Sequence, residues 1–379
     1  MNTKSFWIGV FVVILFAGSA RAAPPGKINE DTWLNQHVRS MKADLQGPFV
    51  RLDEKRILVF DKGTTRISSD AGETWSKPRA VFADPKQYQA KSPALIRTTA
   101  GALILAFINP ADMVWKWNDR RRDADPGTTA PTYVIRSLDD GQTWEIPKKL
   151  HDAWTGDLRN MIQTRNGTVI LSSMQLWNNP GRHVMLTYSS RDNGATWTRS
   201  NFIDLGGNGH HDGAVEGTIV ELTDGRIWML IRTNWDVFWE AISLDEGKSW
   251  RIIRPTRIAA SSSPGLVQRL HSGRLVLFWN RLMPTGWTQY PRMGGANNTN
   301  SPQWSSVPAS ASREELSMAF SNDDGLSWSQ PIVVAARNDQ VSYPVVFEIV
   351  PGTMWVTSNY GNLRVIIRES DFVENMDKK

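Results

Sequence analysis

The segment Asn208-Gly-His-His-Asp-Gly-Ala-Val-Glu216 sets His210, His211 and Asp212 in a glycine-rich turn just before a carboxylate. Two of the chain's six histidines therefore stand together beside Glu216. A neutral imidazole there could take a proton as a general base or touch a substrate directly; a solvated loop would do neither. Metal binding is the weaker reading, because adjacent histidines project differently and no third ligand is evident. No metal or other cofactor is expected. Glu216 opens and Arg232 closes the hairpin EGTIVELTDGRIWMLIR. Equivalent ends of adjacent antiparallel strands lie side by side, so the two side chains could face one site, or be ordinary surface charges. The chain also carries 18 Trp against 6 Tyr. Trp115, Trp117, Trp177, Trp235, Trp239 and Trp287 fall in or near loops, where an aromatic face could stack on a sugar ring, although most Trp are simply buried.

The elements that must position these residues are repeats. Five segments share the frame S-x-D-x-G-x-[ST]-W, at residues 68–75, 137–144, 190–197, 243–250 and 321–328. The Asp can accept hydrogen bonds from its own turn, the Gly permits positive φ, the Ser or Thr adds a second cap and the Trp packs inward. Six apolar hairpins alternate with these Asp boxes, starting at Phe49, Pro93, Asn160, Glu216, Pro264 and Tyr343. Most of their strands are apolar on both faces, as in sheets stacked between sheets. The count predicts an all-β fold, a six-bladed β-propeller with Asp-box turns. The long intervals between boxes hold insertions at 108–131 and 280–312, where binding and chemistry usually sit.

Residues 1–22 read as a secretory signal peptide, with Lys4, an apolar run over 6–17 and Ala20-Arg21-Ala22 as cleavage site. An uncleaved anchor is the alternative, although the run is short for a membrane span. A leader over 23–47 follows, in which 30–42 could form a short helix. The propeller then spans 48–373, and 374–379 is a tail. A secreted or periplasmic location follows, without stable membrane association after cleavage. There are no cysteines, which excludes disulfides and thiolate metal sites. The net charge of +5 carries little weight, and no basic run suggests nucleic acid. A monomer is expected.

The Asp box in a propeller resembles the sialidase superfamily from about residue 49 to 372. That resemblance implies a Tyr nucleophile activated by a Glu, an Asp acid/base and three Arg that grip the substrate carboxylate. A neutral phenol suits a carboxylate-bearing sugar, but its pKa near ~10 demands a neighbouring base. Carried onto this chain, Tyr343 in VSYPVV matches the nucleophile, Glu216 its base, and Arg232 and Arg313 two of the arginines, with Arg281 a nearby alternative to Arg313. Asp125, twelve residues before the box Ser137, falls where the acid/base belongs, in a loop shared with Asp112 and Asp123. The first arginine of the family sits in Arg-Ile-Pro; here the run is Lys91-Ser92-Pro93. Lys91 supplies a point charge without the planar fork, and Arg51 could substitute from another blade.

The expected activity is hydrolysis of a terminal acidic sugar, sialic acid by default, from a glycan. Glu216 polarises Tyr343, Asp125 serves as acid/base, and Arg232, Arg313 and Lys91, with His210 and His211, contact the substrate. Two other classes stay open: a propeller lyase acting on uronate-containing glycan, with a His and Tyr343 as base and acid, and a non-catalytic sugar-binding propeller.

Overall fold

The computed structural model describes residues 27–29, 32–289, 292–294 and 307–373. The proposed signal peptide and the C-terminal tail lie outside them. Six antiparallel sheets follow one another along the chain, here called blades I to VI. Their innermost strands are Phe49–Arg51, Lys91–Arg97, Met161–Gln163, Val215–Glu221, Leu266–Arg269 and Ser342–Val350. Six buried clusters fill the spaces between neighbours. Leu105 and Phe107 of blade II meet Leu58 and Phe60 of blade I, and Phe49 and Val59 of blade I meet Ile349 and Trp355 of blade VI. The second strand of each blade is buried on both faces over most of its length, which is why its sequence reads as a continuous apolar run.

The N-terminal segment departs from expectation. No helix forms over the described residues 32–42; Thr32–Leu34 pairs with the outer strand Ile332–Arg337 of blade V, and Arg39–Ser40 completes blade VI beside Arg364–Arg368. Those blades otherwise end in unpaired edges, whose open N–H and C=O groups are satisfied by borrowing strands from the leader. Leu34 and Val38 join the core between blades V and VI. The folded unit thus begins ahead of residue 48.

The five Asp boxes join the third and fourth strands of blades I to V. In each, the Ser hydroxyl donates to the Asp carboxylate and accepts from the Gly amide, while the Asp accepts from the amide and hydroxyl four residues on. In blade I these are Ser68 Oγ to Asp70 Oδ1 at 2.8 Å, Gly72 N to Ser68 Oγ at 2.8 Å and Thr74 N to Asp70 Oδ1 at 2.9 Å. The Thr74 and Thr143 hydroxyls hold the carboxyls of Asp70 and Asp139 down at about 2. The glycines carry a further duty. A Cβ on Gly72, Gly141, Gly194 or Gly247 would fall within 3.0 Å of Trp355, Leu58, Ile104 or Ile170, each on the preceding blade. The box is a blade-to-blade contact as well as a turn.

Antiparallel order then decides which face carries chemistry. An inner strand that starts at one face ends at the other; the third strand runs the same way and ends in the box. The boxes therefore lie at the face opposite the starts of the inner strands. Glu216 and Tyr343 are at those starts.

Candidate active site

Blades II, IV and VI begin their inner strands in the same unusual way. Ser92, Glu216 and Tyr343, each the second residue of its strand, have φ of +50°, +50° and +61°. A left-handed conformation costs a non-glycine residue about 1–3 kcal/mol and persists only when its surroundings impose it. In Lys91–Arg97 and Val215–Glu221 the strand pairing also slips at this point. The kink interrupts the alternation of side chains, so three alternate blades each offer one polar side chain at the end of the axis.

Two of these side chains meet. The Tyr343 hydroxyl donates to Glu216 Oε1 at 3.0 Å. Arg232 Nη1 donates to Glu216 Oε2 at 2.6 Å and to the Tyr343 oxygen at 3.1 Å. The remaining Arg232 nitrogens donate to Ser262 Oγ at 3.2 and 3.0 Å. Ser262 Oγ in turn donates to Asn234 Oδ1 at 2.6 Å, and Asn234 Nδ2 to the His211 carbonyl at 2.9 Å. Burial alone would push Glu216 up, but the charge and hydrogen bond of Arg232 hold its carboxyl below the ordinary range. The Tyr343 phenol is raised, first by burial and then by the Glu216 charge. At neutral pH the triangle is a carboxylate, a neutral phenol and a guanidinium.

Arg313 lies with its guanidinium carbon 5.5 Å from the centroid of the Tyr343 ring and donates to the Ser262 carbonyl at 2.8 Å. It has no carboxylate within ion-pair distance among the described residues. Burial and the neighbouring Arg232 accordingly depress its pKa. A half-buried cation in that condition is stabilised by any anion that binds beside it.

Two residues absent from the sequence reading complete the centre. Asp157 and Arg159 precede the inner strand of blade III and pair at 3.2 Å, with side chains only 6% and 3% exposed. Arg159 lies 5.2 Å from the Tyr343 ring centroid and donates to the Pro344 carbonyl at 2.8 Å. Blades III and VI are opposite one another, so this hydrogen bond crosses the axis and braces the strained Tyr343–Pro344 backbone. Ser92 lies near Asp157, whose carboxyl burial raises while the charge of Arg159 partly offsets the rise. The only hint in the sequence was Asp157 and Arg159 flanking the buried Leu158.

Other expected residues stand elsewhere. Lys91 is exposed and makes no ion pair among the described residues; its neighbour Ser92 takes the kinked position. The two are adjacent on a strand, so they cannot both turn inward. Arg51 donates to the carbonyls of Asp53 and Glu54. Arg281 is paired with Glu315 at 2.9 Å. Asp125 is ion-paired with Arg121 in an exposed turn of the 108–131 insertion. Asp112 accepts from Asn109 and Tyr133, and Asp123 from the Asn179 amide.

His210 and His211 belong to a wall beside the triangle, their ring centroids 4.2 Å apart. Burial pushes His183 down to about 4 and His210 to about 3, and holds His211 well below its usual value, with His210 and Arg232 adding to the effect. All three are neutral at pH 7. His151, half-buried and stacked on Tyr188, is likewise pushed down to about 4 by its loss of solvent. A base whose folded pKa is depressed stabilises the fold above its unfolded value of about 6.5, and that stability fades as pH falls. Thermal unfolding midpoints are therefore expected to drop between pH 6.5 and 4, before the box aspartates titrate. A flat profile across that window would contradict the buried, neutral histidines.

A family model described as "BNR repeat-like domain" matches residues 61–355. The chain belongs to this family, within the sialidase superfamily. Among curated proteins, a Clostridium perfringens sialidase is 26% identical over 211 residues, covering 50% of this chain and 52% of that protein. The chain thus spans about half the length of that relative. Solved structures share the fold of this BNR repeat-like protein. A Dyadobacter fermentans protein of unknown function matches with TM-score 0.58 at 14% identity over 89% of this chain and 96% of that one. A Ruminococcus gnavus intramolecular trans-sialidase matches with TM-score 0.55 at 13% identity over 85% and 93%.

Proposed function

We propose that this is an exported glycoside hydrolase that removes a terminal acidic sugar, sialic acid by default, from a glycan. The observation that carries the reading is the Tyr343–Glu216–Arg232 triangle with Arg313, a half-buried cation without a carboxylate among the described residues, beside it. The sialidase relative supports it. Export rests on the N-terminal segment of the sequence.

In this mechanism Arg313 and Arg232 hold the substrate carboxylate. Glu216 takes the phenolic proton as the Tyr343 oxygen attacks the anomeric carbon, and the glycosidic oxygen leaves with a proton. Water then gives a proton to Asp125 as it displaces Tyr343 from the sugar, and the phenol recovers its proton from Glu216. Arg159 and Asp157 act as positioning residues, bracing Tyr343 from across the axis. Asp125, protonated once it lets go of Arg121, gives its proton to the leaving oxygen; parting the exposed pair is a small step, because such a pair contributes about 0–1 kcal/mol.

One observation favours a second reading. Neutral His210 and His211 beside Arg232 could abstract the proton next to a clamped uronate carboxylate, with Tyr343 as acid. Incubation with a sialoside and, in parallel, with a uronate polymer separates the two. Release of free sialic acid is expected. An unsaturated product absorbing in the ultraviolet would instead establish the lyase, and neither product would leave a binding propeller.

A further inference from the structure

Tyr360 ends the second strand of blade VI, Thr353–Tyr360, and pairs there with Ser342, the residue just before the kink at Tyr343. Its ring meets the Tyr343 ring edge-on, with 5.1 Å between centroids and 66° between planes. The side chain nevertheless stays 47% exposed, and its hydroxyl makes no hydrogen bond to a described residue. The backbone beneath it is fixed. Ser358 Oγ donates to the Tyr360 carbonyl at 2.6 Å and accepts from Leu363 N at 3.1 Å, closing the turn that follows. Gly361, with φ of +83°, packs so closely in that turn that a Cβ would fall 2.3 Å from the Gln340 carbonyl.

Arg313 approaches the same ring from blade V. Its guanidinium carbon lies 5.5 Å from the Tyr343 centroid, and Val341 N donates to its carbonyl at 2.7 Å. Arg313 and Tyr360 therefore both border Tyr343, within electrostatic reach of each other. A carboxylate offers about four lone-pair sites to donors. Arg232 has little to give them, because its Nε, both hydrogens of Nη1 and one of Nη2 are taken by Ser262, Glu216 and Tyr343. Lys91 is exposed, and Ser92 occupies the kinked place beside it. A carboxylate drawn to Arg313 still needs a donor, and the uncommitted hydroxyl bordering the same ring is that of Tyr360.

We propose that Tyr360 is a specificity-determining residue that donates its phenolic hydrogen to the substrate carboxylate beside Arg313. The inference rests on the acidic-sugar reading of the site. A charge-assisted hydrogen bond of this kind forms with the ionised sugar and with no neutral analogue. Selection for the charged sugar is then shared between a guanidinium of one blade and a phenol of the next.

The test uses full-length Tyr343→Phe protein, in which turnover is suppressed, with Tyr360 intact or replaced in Tyr360→Phe, which keeps the ring contact. The probe is methyl α-sialoside labelled with ¹³C at its carboxyl carbon, followed by calorimetric titration and by NMR of the bound carbon. Tyr360→Phe is expected to weaken binding about tenfold, as loss of a hydrogen bond to a charged group does, and to move the bound carboxyl resonance. The unfolding midpoint should not change. Unchanged affinity would overturn the contact, and so would a tenfold loss with an unmoved resonance, which places the hydroxyl on another part of the sugar. A lowered midpoint without loss of affinity would make the hydroxyl structural. If the sialoside does not bind with Tyr360 intact, the choice of sialic acid is what fails, and carboxyl-labelled methyl β-glucuronide takes its place in the same comparison. Binding of neither carboxylate sugar overturns the contact as well.

Discussion

Tyr343→Phe is expected to lower turnover of the acidic glycoside by at least about 10²–10⁴-fold, the range that a positioned proton-transfer group contributes, while the protein stays folded. The variant removes one oxygen. Glu216 loses a donor at 3.0 Å but keeps Arg232 at 2.6 Å, so no buried charge is stranded. The stability lost is that of one buried hydrogen-bonded hydroxyl, about 1–3 kcal/mol. Glu216→Gln should cost similar activity and more stability, because Arg232, 1% exposed, then faces a neutral amide. Turnover measured beside thermal unfolding separates the effects. Near-normal rates in a folded Tyr343→Phe protein would remove Tyr343 from the chemistry.

The second large effect separates two arginines that the sequence treats alike. Arg232 is locked into Glu216, Tyr343 and Ser262; breaking a buried pair costs about 3–5 kcal/mol because the partner's charge is left uncompensated. Arg232→Met should therefore unfold at a distinctly lower temperature. Arg313 has a backbone carbonyl and no carboxylate, and its charge opposes that of Arg232. Arg313→Met should leave stability unchanged or improved, yet weaken binding of an anionic sugar by about a hundredfold, as expected for a buried charge contact worth about 2–5 kcal/mol. Groups that serve function at a cost to the free protein behave this way. Affinity and unfolding midpoints for both variants test it. A destabilised Arg313→Met with full affinity would make Arg313 structural.

Much of this architecture was legible because it is local. An Asp box is a turn closed by its own eight residues, and a hairpin is two strands and the link between them, so repeats could be counted without knowing where the blades lie. Glu216 and Arg232 were legible together for the same reason: one hairpin brings its two ends side by side. Tyr343 and Arg313 came from the family pattern. Lys91 and Ser92 show the limit. Their order along the chain matches the Arg-Ile-Pro pattern, but a left-handed kink at Ser92 settles which of them turns toward Asp157. The leader shows another, since a strand that completes a sheet owes its shape to the edge awaiting it.

The paired histidines, the Asp boxes and the hairpins were thus properties of the sequence by itself, each set by neighbours a few residues away. Tertiary structure alone decided that the boxes lie at the face away from the chemistry, that Arg159 reaches from blade III to the opposite blade VI, and that His210 joins Trp115 rather than a solvated loop. The physical reason is common to all three. Ring closure brings residues together across the axis, and a contact of that kind, such as Arg159 to Pro344, leaves no periodicity in the chain to be read.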